Sequence, residues 1–304
     1  MLKLSIIICT YKRVKKLEKC LQSILHQKIK YIEILVIDQN EGNQLKAIIK
    51  KINNPLVRYF HIKKHGLSFA RNYGINLAKG KILAFTDDDC IVDKNLLKNI
   101  YLSFQKNKQI IGIFGKVFPY RSELNKGKTC PCTFSNNKKR LITKPFLHSK
   151  YIGFGNNMAF RRKIFIKIGG FKEWLGVGSI GKSAEDAEFV LRVLLKGYKV
   201  LYNPKVKVYH NRWLTKEQFR KQCLSYSCGE VACYGYFCFQ GLKLGKQVVV
   251  NNFKDSYWKF RKAIKSILFL RKGAVKLLFN SLEELFYRVR GLVVGAYFSK
   301  KEPI

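Results

Sequence analysis

Hydrophobic positions along the first half of the chain alternate between two periods. Leu4 to Cys9 is apolar apart from Ser5 and rich in β-branched residues, the pattern of a strand buried on both faces in a parallel sheet. Leu17, Leu21, Ile24 and Leu25 then recur at helical spacing, and Ile32 to Asp38 returns as a second buried strand, completing a βαβ unit. The alternation continues with a helix near Gln44 to Ile52, a strand at Val57 to Phe60, a helix near Ser68 to Ala78 and a strand at Ile82 to Phe85, a doubly wound topology. After Asp93 the pattern predicts a helix to about Asn107 and a strand near Ile110 to Phe118. A polar, Lys-rich and Cys-containing stretch from Tyr120 to Lys150 follows and is expected to pass over the site.

Regular pattern returns in "GNNMAFRRKIF", Gly155 to Phe165, and in "SAEDAEFVLRVLLKGYKVLYNP", Ser183 to Pro204. The latter predicts a capping Ser183, an amphipathic helix, a stop at Gly197 and a strand. Gly176, Gly178 and Gly181 ahead of that helix predict a mobile loop. Beyond His210 strands fade. From Ile264 the apolar positions Leu268, Val275, Leu278, Leu282, Leu285, Val289 and Leu292 step by threes and fours with one skipped turn, giving helices with basic flanks. No low-complexity linker separates this part, so it is expected to pack on the first domain. The boundaries drawn on the sequence are a catalytic domain at 1–215 and a helical, basic extension at 216–304.

Composition narrows the class. Hydrophobic residues make up 47% and aromatics 13%, which excludes a disordered chain, so a net charge of +40 is mostly surface charge. That charge leaves nucleic acid, an anionic membrane face or no specific partner open. Lys is scattered where base reading favours clustered Arg, and no helix-turn-helix, zinc or RNP-like pattern occurs, so no nucleic acid is expected. Nine cysteines at these spacings fit no disulfide framework, which points to a reduced compartment. Cys130 with Cys132, and the ladder Cys223, Cys228, Cys233 and Cys238, read as inert thiols rather than a metal site. The opening residues read as a first strand, not a secretory signal, and no segment reaches the roughly 18 apolar residues of a membrane span. A cytoplasmic protein is expected, with contact to the inner face of the plasma membrane left open.

Within this basic chain, "KGKILAFTDDDCIVD" sets Asp87, Asp88 and Asp89 side by side at the end of a strand. Like charges so close repel unless a cation sits among them, and hard cations such as Mg²⁺ or Mn²⁺ take one or two carboxylates plus substrate phosphates. A helix N-terminus would also favour an acid, though one suffices and Asp93 is better placed for that. Asp38 also falls past a strand end, where open parallel sheets gather ligands. Taken singly, Asp38 reads equally as a turn acid, Arg71 as a solvated helix charge, and Glu185 with Asp186 as acids at a helix start.

These motifs, in this order, resemble the family 2 glycosyltransferases, inverting enzymes with a GT-A nucleotide-sugar-binding fold, over roughly the first 215 residues. "SIIICTYKR" is similar to that family's first strand and nucleotide loop, which implies donor contacts from Thr10, Tyr11 and Arg13. "LVIDQN" resembles its second strand, with Asp38 where the base is held. "GLSFARNYGINLAKGKILAFTDDD" is the most specific match: the resemblance implies Arg71 near the diphosphate, Asp87 on the ribose, and Asp88 or Asp89 on the metal. "GNNMAFRRKIF" followed by "GGF" resembles the acceptor-side strand and helix, implying acceptor contacts from Asn156 and Asn157, with Glu185 and Trp213 as further candidates. "EDAEFVLRVLLKGYKVLYNP" resembles the catalytic helix start, making Asp186 the candidate base with Glu185 as fallback, and His210 in "VKVYHNRW" is where some relatives touch the metal or diphosphate.

The resemblance therefore implies an α/β fold of the GT-A, Rossmann-like type, a mixed and mainly parallel sheet flanked by helices with a helical C-terminal extension. It implies one inverting transfer from a nucleotide sugar, foremost a UDP-sugar, with Mg²⁺ or Mn²⁺ as cofactor and a glycan or lipid-linked acceptor. One base completes such a mechanism because a diphosphate leaves without the general acid that a glycosidase needs. Gln-X-X-Arg-Trp of processive synthases is absent, which favours single-sugar transfer in cell-surface polysaccharide or glycolipid synthesis. The basic, apolar stretch from Trp258 to Lys301 has the composition of interfacial helices, so an anionic membrane surface is a further candidate partner. Rival readings are a basic nucleic-acid-binding protein and an inactive nucleotide-sugar-binding module. A nucleotidyltransferase would show glycines after the first strand that "TYKRVKKLEKC" lacks.

Overall fold

The computed structural model describes residues 3–27, 31–42, 44–146 and 152–302, so the end of the excursion at 147–150 lies outside the described residues. The chain forms two compact units, Met1–Phe171 with Phe189–Lys216, and Lys172–Glu188 with Glu217–Ile304.

The first unit is built on one sheet. In chain order its elements are β1 (Leu4–Thr10), α1 (Val14–Leu25), β2 (Ile32–Asp38), α2 (Gln44–Ile52), β3 (Val57–His61), α3 (Leu67–Leu77), β4 (Ile82–Asp87), β5 (Cys90–Val92), α4 (Leu96–Lys106), β6 (Ile110–Pro119), β7 (Arg140–Ile142), β8 (Asn157–Arg161), α5 (Lys163–Ile168), α6 (Glu185–Leu195) and β9 (Lys199–His210). The sheet order is β3-β2-β1-β4-β8-β6-β9-β5, with β7 also on β9. β3, β2, β1 and β4 run parallel, as the βαβ reading requires, while β8 lies antiparallel to β4 and β6. Every residue of β2 is buried, which is why its sequence reads apolar without alternation. Leu17, Leu21 and Ile24 of α1 close over Ile6, Ile8, Ile34 and Val36 to form the centre of the core.

Glu33 interrupts that core and is answered locally. Only 4% exposed, it accepts hydrogen bonds from the Ser5 hydroxyl at 2.6 Å, the Lys79 N–H at 2.6 Å and the Arg58 guanidinium. Burial pushes this carboxyl up, but those three donors outweigh it and hold Glu33 below the usual carboxylate range. A carboxylate depressed on folding contributes stability above its unfolded pKa, and that stability is lost as pH falls through the folded value. Glu33→Gln should therefore cost about 1–3 kcal/mol at neutral pH. Its melting temperature should also fall less than the wild type's on acidification below about pH 5. Parallel curves for the two proteins would show that Glu33 is not depressed.

The second unit comprises the segment ahead of α6 with the first turn of that helix, and three long helices, α7 (Lys216–Phe239), α8 (Lys243–Leu268) and α9 (Ala274–Lys301). Gly291 and Gly295 let α9 touch the α7 backbone: a Cβ at either would lie 2.3 Å from the Cys228 carbonyl oxygen or 2.5 Å from that of Ala232. Arg288 of α9 locks onto α8 through Ser256 Oγ and Asp255 Oδ2, both at 2.7 Å. The skipped turn in the apolar pattern is the break at 269–273, closed by Gly273 at φ 81°. A five-residue step advances about 140° around a helix, so the cysteine ladder is spread around α7, and all nine cysteines are free thiols. No described helix is long and apolar enough to cross a membrane.

Two local expectations fall on the segment ahead of α6, and that of the capping Ser183 is corrected. The glycine-rich segment is closed by its own hydrogen bonds: Gly181 N–H donates to the Trp174 carbonyl at 2.8 Å, and the Ser179 hydroxyl to the carbonyls of Trp174 and Gly176. Ser183 does not cap α6, because its hydroxyl donates to the Ser225 carbonyl at 3.2 Å. Ala184, at φ 70°, turns the chain into the helix and its carbonyl accepts the Glu188 N–H.

Candidate functional site

Strand register brings the acids of the first unit to one edge. Thr10 at the end of β1 pairs with Asp38 at the end of β2, and Cys9 pairs with Asp87 at the end of β4. The short β5 then returns antiparallel on β9, setting Cys90 opposite His210. An acidic turn between two strands is thereby held rigidly beside the loop after β1.

Arg13 is the first cation among these acids. Its Nη1 donates to Asp88 Oδ1 at 2.9 Å and to Asp89 Oδ2 at 2.8 Å, while the Thr10 hydroxyl donates to Asp88 Oδ2 at 2.8 Å. Both oxygens of Asp88 are thus occupied. Burial pushes Asp88 up to about 6 against the pull of Arg13, with the Asp89 charge adding to the rise. Burial acts the same way on Asp89, yet His210, Arg13 and Lys16 together hold it well below the usual carboxylate range.

The other oxygen of Asp89 is different. Oδ1 is buried without a hydrogen bond, although His210 Nε2 lies 3.1 Å away. His210 Nδ1 is 2.7 Å from the Pro131 carbonyl, which can only accept, so Nδ1 carries the proton. In the neutral ring Nε2 then presents a lone pair to a carboxylate oxygen, an arrangement that calls for a cation between them. A proton is one answer: burial lowers His210, but the contact with Asp89 outweighs it and pushes the imidazole up to about 10. A divalent ion is the other, because two neighbouring ligands at about 2.1 Å in octahedral geometry stand about 3 Å apart. A carbonyl fixing the far nitrogen is also the usual support of a ligating His. Asp89, Cys90 and His210 offer ligand atoms within 4.8 Å of one another. Burial drives the Cys90 thiol well above its ordinary value, which leaves the oxygen and nitrogen pair as the set that suits Mg²⁺ or Mn²⁺.

On the far side of the acidic turn, Arg71 is buried with Nη2 3.4 Å from Asp87 Oδ1 and 3.3 Å from the Gly155 carbonyl, its guanidinium 5.5 Å from the Phe171 ring centroid. Asp87 is the most open of the three acids. Asn156, one residue beyond the pairing of Thr86 with Asn157, is buried with both amide atoms lacking a hydrogen bond. The buried Thr86 hydroxyl likewise has none. Thr86 escaped sequence reasoning, the only signal being its place at a strand end.

Other candidates are engaged within the fold. Asp38 is fully buried; Oδ1 accepts from Asn40 N–H at 2.8 Å and Asn40 Nδ2 at 2.6 Å, and Oδ2 from the Tyr59 hydroxyl at 2.7 Å. A base held there would compete with Asn40, a residue that no pattern in the sequence singles out. Asn157 donates to the carbonyls of Lys116 and Val206 at 2.7 and 3.1 Å, filling the register break between β6 and β9. Trp213 donates its indole N–H to the Tyr120 carbonyl at 3.2 Å. Glu185 and Asp186 stand in the first turn of α6, the part that belongs to the second unit, and Asp186 Oδ1 accepts the Ala187 N–H at 2.8 Å.

A cleft of about 760 Å³ lies beside Arg13, lined by Tyr11, Lys12, Asn40, Glu41 and Gln44 among others. Its size suits a nucleotide. Tyr11 is exposed there, its ring 4.8 Å from that of His65.

Comparison with known proteins shows the family and the fold. The family model described as Glycosyl transferase family 2 matches residues 5–169. A glucosyl-dolichyl phosphate glucuronosyltransferase of Haloferax volcanii is 22% identical over 239 residues, 72% of each chain. Further curated glycosyltransferases match shorter stretches, the chain spanning 16% to 62% of their length. Among solved structures, the mannosyltransferase PcManGT from Pyrobaculum calidifontis, in complex with GDP-Man and Mn²⁺, superposes with a TM-score of 0.62 at 14% identity, over 95% of this chain and 87% of that one. S. aureus TarS 1–349 in complex with UDP-GlcNAc gives 0.61 at 15% identity, over 99% and 91%. Both likenesses are of fold, and both neighbours carry the mixed, mostly parallel sheet with C-terminal helices seen here.

Proposed function

The chain belongs to glycosyl transferase family 2, and from that premise we propose that it moves a single sugar from a nucleotide-sugar donor, foremost a UDP-sugar, to an acceptor hydroxyl with inversion. The observation that carries the reading is the buried pair Asp89 Oδ1 and His210 Nε2, 3.1 Å apart, close to a nucleotide-sized cleft. Asp89 and His210 would hold the divalent ion, with Asp88 bracing Arg13 and Thr10 rather than ligating. Bound there, the ion supplies neutralisation of the diphosphate charge. Tyr11, Arg13 and Asp38 surround the nucleoside in this reading, Asp87 takes the ribose, and Arg71 faces the diphosphate. Asp186, with Glu185 as the alternative, accepts the proton of the acceptor hydroxyl as its oxygen bonds the anomeric carbon and the bond to the diphosphate breaks on the opposite face.

The functional division that goes with this is a donor and catalytic domain at 1–215 and a helical extension at 216–304. A relative that acts on a glucosyl-dolichyl phosphate supports a lipid-linked acceptor or a growing envelope glycan. The test is a panel of nucleotide sugars incubated with Mn²⁺, read as slow release of free nucleotide. One donor turned over well above the rest is expected, and no release from any donor by folded protein would refute the reading.

Asn156, Asn157 and Trp213 are the proposed acceptor contacts, and Asn156 is the most informative because its amide has no hydrogen-bond partner among the described residues. Removing a buried amide that pairs with nothing costs little stability. Asn156→Ala should keep the wild-type melting temperature and raise the acceptor KM about tenfold, the worth of one hydrogen bond of about 1.4 kcal/mol. A change confined to the donor KM would reassign Asn156 to the donor.

A further inference from the structure

The second unit exposes apolar side chains that its own packing does not explain. At the turn between α8 and α9, Leu268 is 74% exposed, Phe269 71% and Leu270 92%. Along α9, Val275, Phe279, Leu282, Phe286, Val289, Val293 and Tyr297 are exposed at steps of three and four, so they share one helix face. Contiguous exposed apolar surface of this kind marks an interaction site.

The charge around it identifies the partner. From Ser256 to Leu282 the chain carries seven basic residues and no acidic one; Lys259 pairs with Asp255 and Glu284, and the other six are Arg261, Lys262, Lys265, Arg271, Lys272 and Lys276. We propose that the α8–α9 turn and the exposed face of α9 dock on an anionic lipid bilayer, with Leu268, Phe269 and Leu270 entering the acyl boundary and the basic residues meeting the headgroups. An exposed apolar face flanked by Lys and Arg is what an interfacial helix presents to such a surface. No described helix can cross a membrane, so the contact lies on the surface. A second copy of the chain would bring the same positive flanks together, which like-charge repulsion opposes. This goes beyond the catalytic reading and uses none of its residues.

The test is co-sedimentation of the full chain with phosphatidylcholine vesicles made with and without phosphatidylglycerol, at low and high salt. Binding is expected only with phosphatidylglycerol and weakens as salt screens the headgroups. The triple variant Leu268→Ser, Phe269→Ser, Leu270→Ser keeps every basic residue, so adsorption by charge alone would leave its binding unchanged and overturn the proposal. The expected loss is tenfold or more in partitioning, from about 25 cal/mol per Å² of apolar area no longer buried. Phe269→Trp supplies a second readout: its emission should shift to the blue and be quenched by brominated acyl chains, and an unshifted, unquenched signal would refute insertion. Nucleotide binding measured on the same samples stays at the wild-type level, which separates this outcome from any failure of the donor site. Ultracentrifugation showing a wild-type dimer that the triple variant converts to monomer would give the face to a second copy instead.

Discussion

Asp89→Asn is expected to abolish metal-stimulated sugar transfer, lowering turnover on the order of a thousandfold, the scale on which removal of a preorganised charge partner acts. The substitution keeps size and shape but leaves a neutral amide facing His210 Nε2, 3.1 Å away in the native arrangement. It also removes half of the anionic seat of Arg13, whose Nη1 donates to both Asp88 and Asp89. Asp88→Asn separates the two effects. Asp88 spends its oxygens on Thr10 and Arg13, so its loss should loosen the loop after β1 and raise the donor KM while much of the metal response survives. Measuring Mn²⁺ dependence of turnover in both variants decides between them: equal loss of the metal response would move Asp88 into the ligand set.

The second large effect is expected at Asp186. If its carboxylate takes the acceptor proton, Asp186→Asn should lower kcat by about 10²–10⁴, with metal-dependent nucleotide binding left at the wild-type level, because the proposed donor contacts lie on other residues. The Asp186 carboxylate also accepts the Ala187 N–H in the first turn of α6, a bond that Asn can still accept, so the helix start should survive the change. Glu185→Gln provides the contrast. Full activity in Asp186→Asn together with a dead Glu185→Gln would transfer the base role to Glu185.

The parallel half of the sheet was legible because burial on both faces forces near-continuous apolar runs, and β1, β2 and β4 read so apart from Ser5, Glu33 and their polar last residues. The three-residue β5 was not, since so few residues carry no period. Yet β5 sets Cys90 opposite His210 and so creates the geometry at Asp89. The tautomer of His210 depends on the Pro131 carbonyl, 79 positions away in an irregular segment that no local pattern describes. Adjacent Asp88 and Asp89 were equivalent in the sequence and differ only through Thr10 and His210, both distant along the chain. Helix α7 falls inside the expected helical extension but was not placed individually, because its residues from Cys228 to Phe237 are buried on nearly every side except at Glu230, leaving no polar face to mark a helical period. Ser183 has the composition of a cap but turns to Ser225 instead, a tertiary contact that overrides the local preference.

The measurement that bears most directly on the account is calorimetric titration of UDP into the wild-type chain with Mn²⁺, with EDTA, and into Asp89→Asn with Mn²⁺, with GDP and TDP as alternative nucleotides. Nucleotide binding that requires Mn²⁺ and disappears in Asp89→Asn is the predicted result. Binding indifferent to both EDTA and the substitution, or no binding of any of these nucleotides to the folded protein, would contradict a metal-assisted donor site at Asp89 and His210.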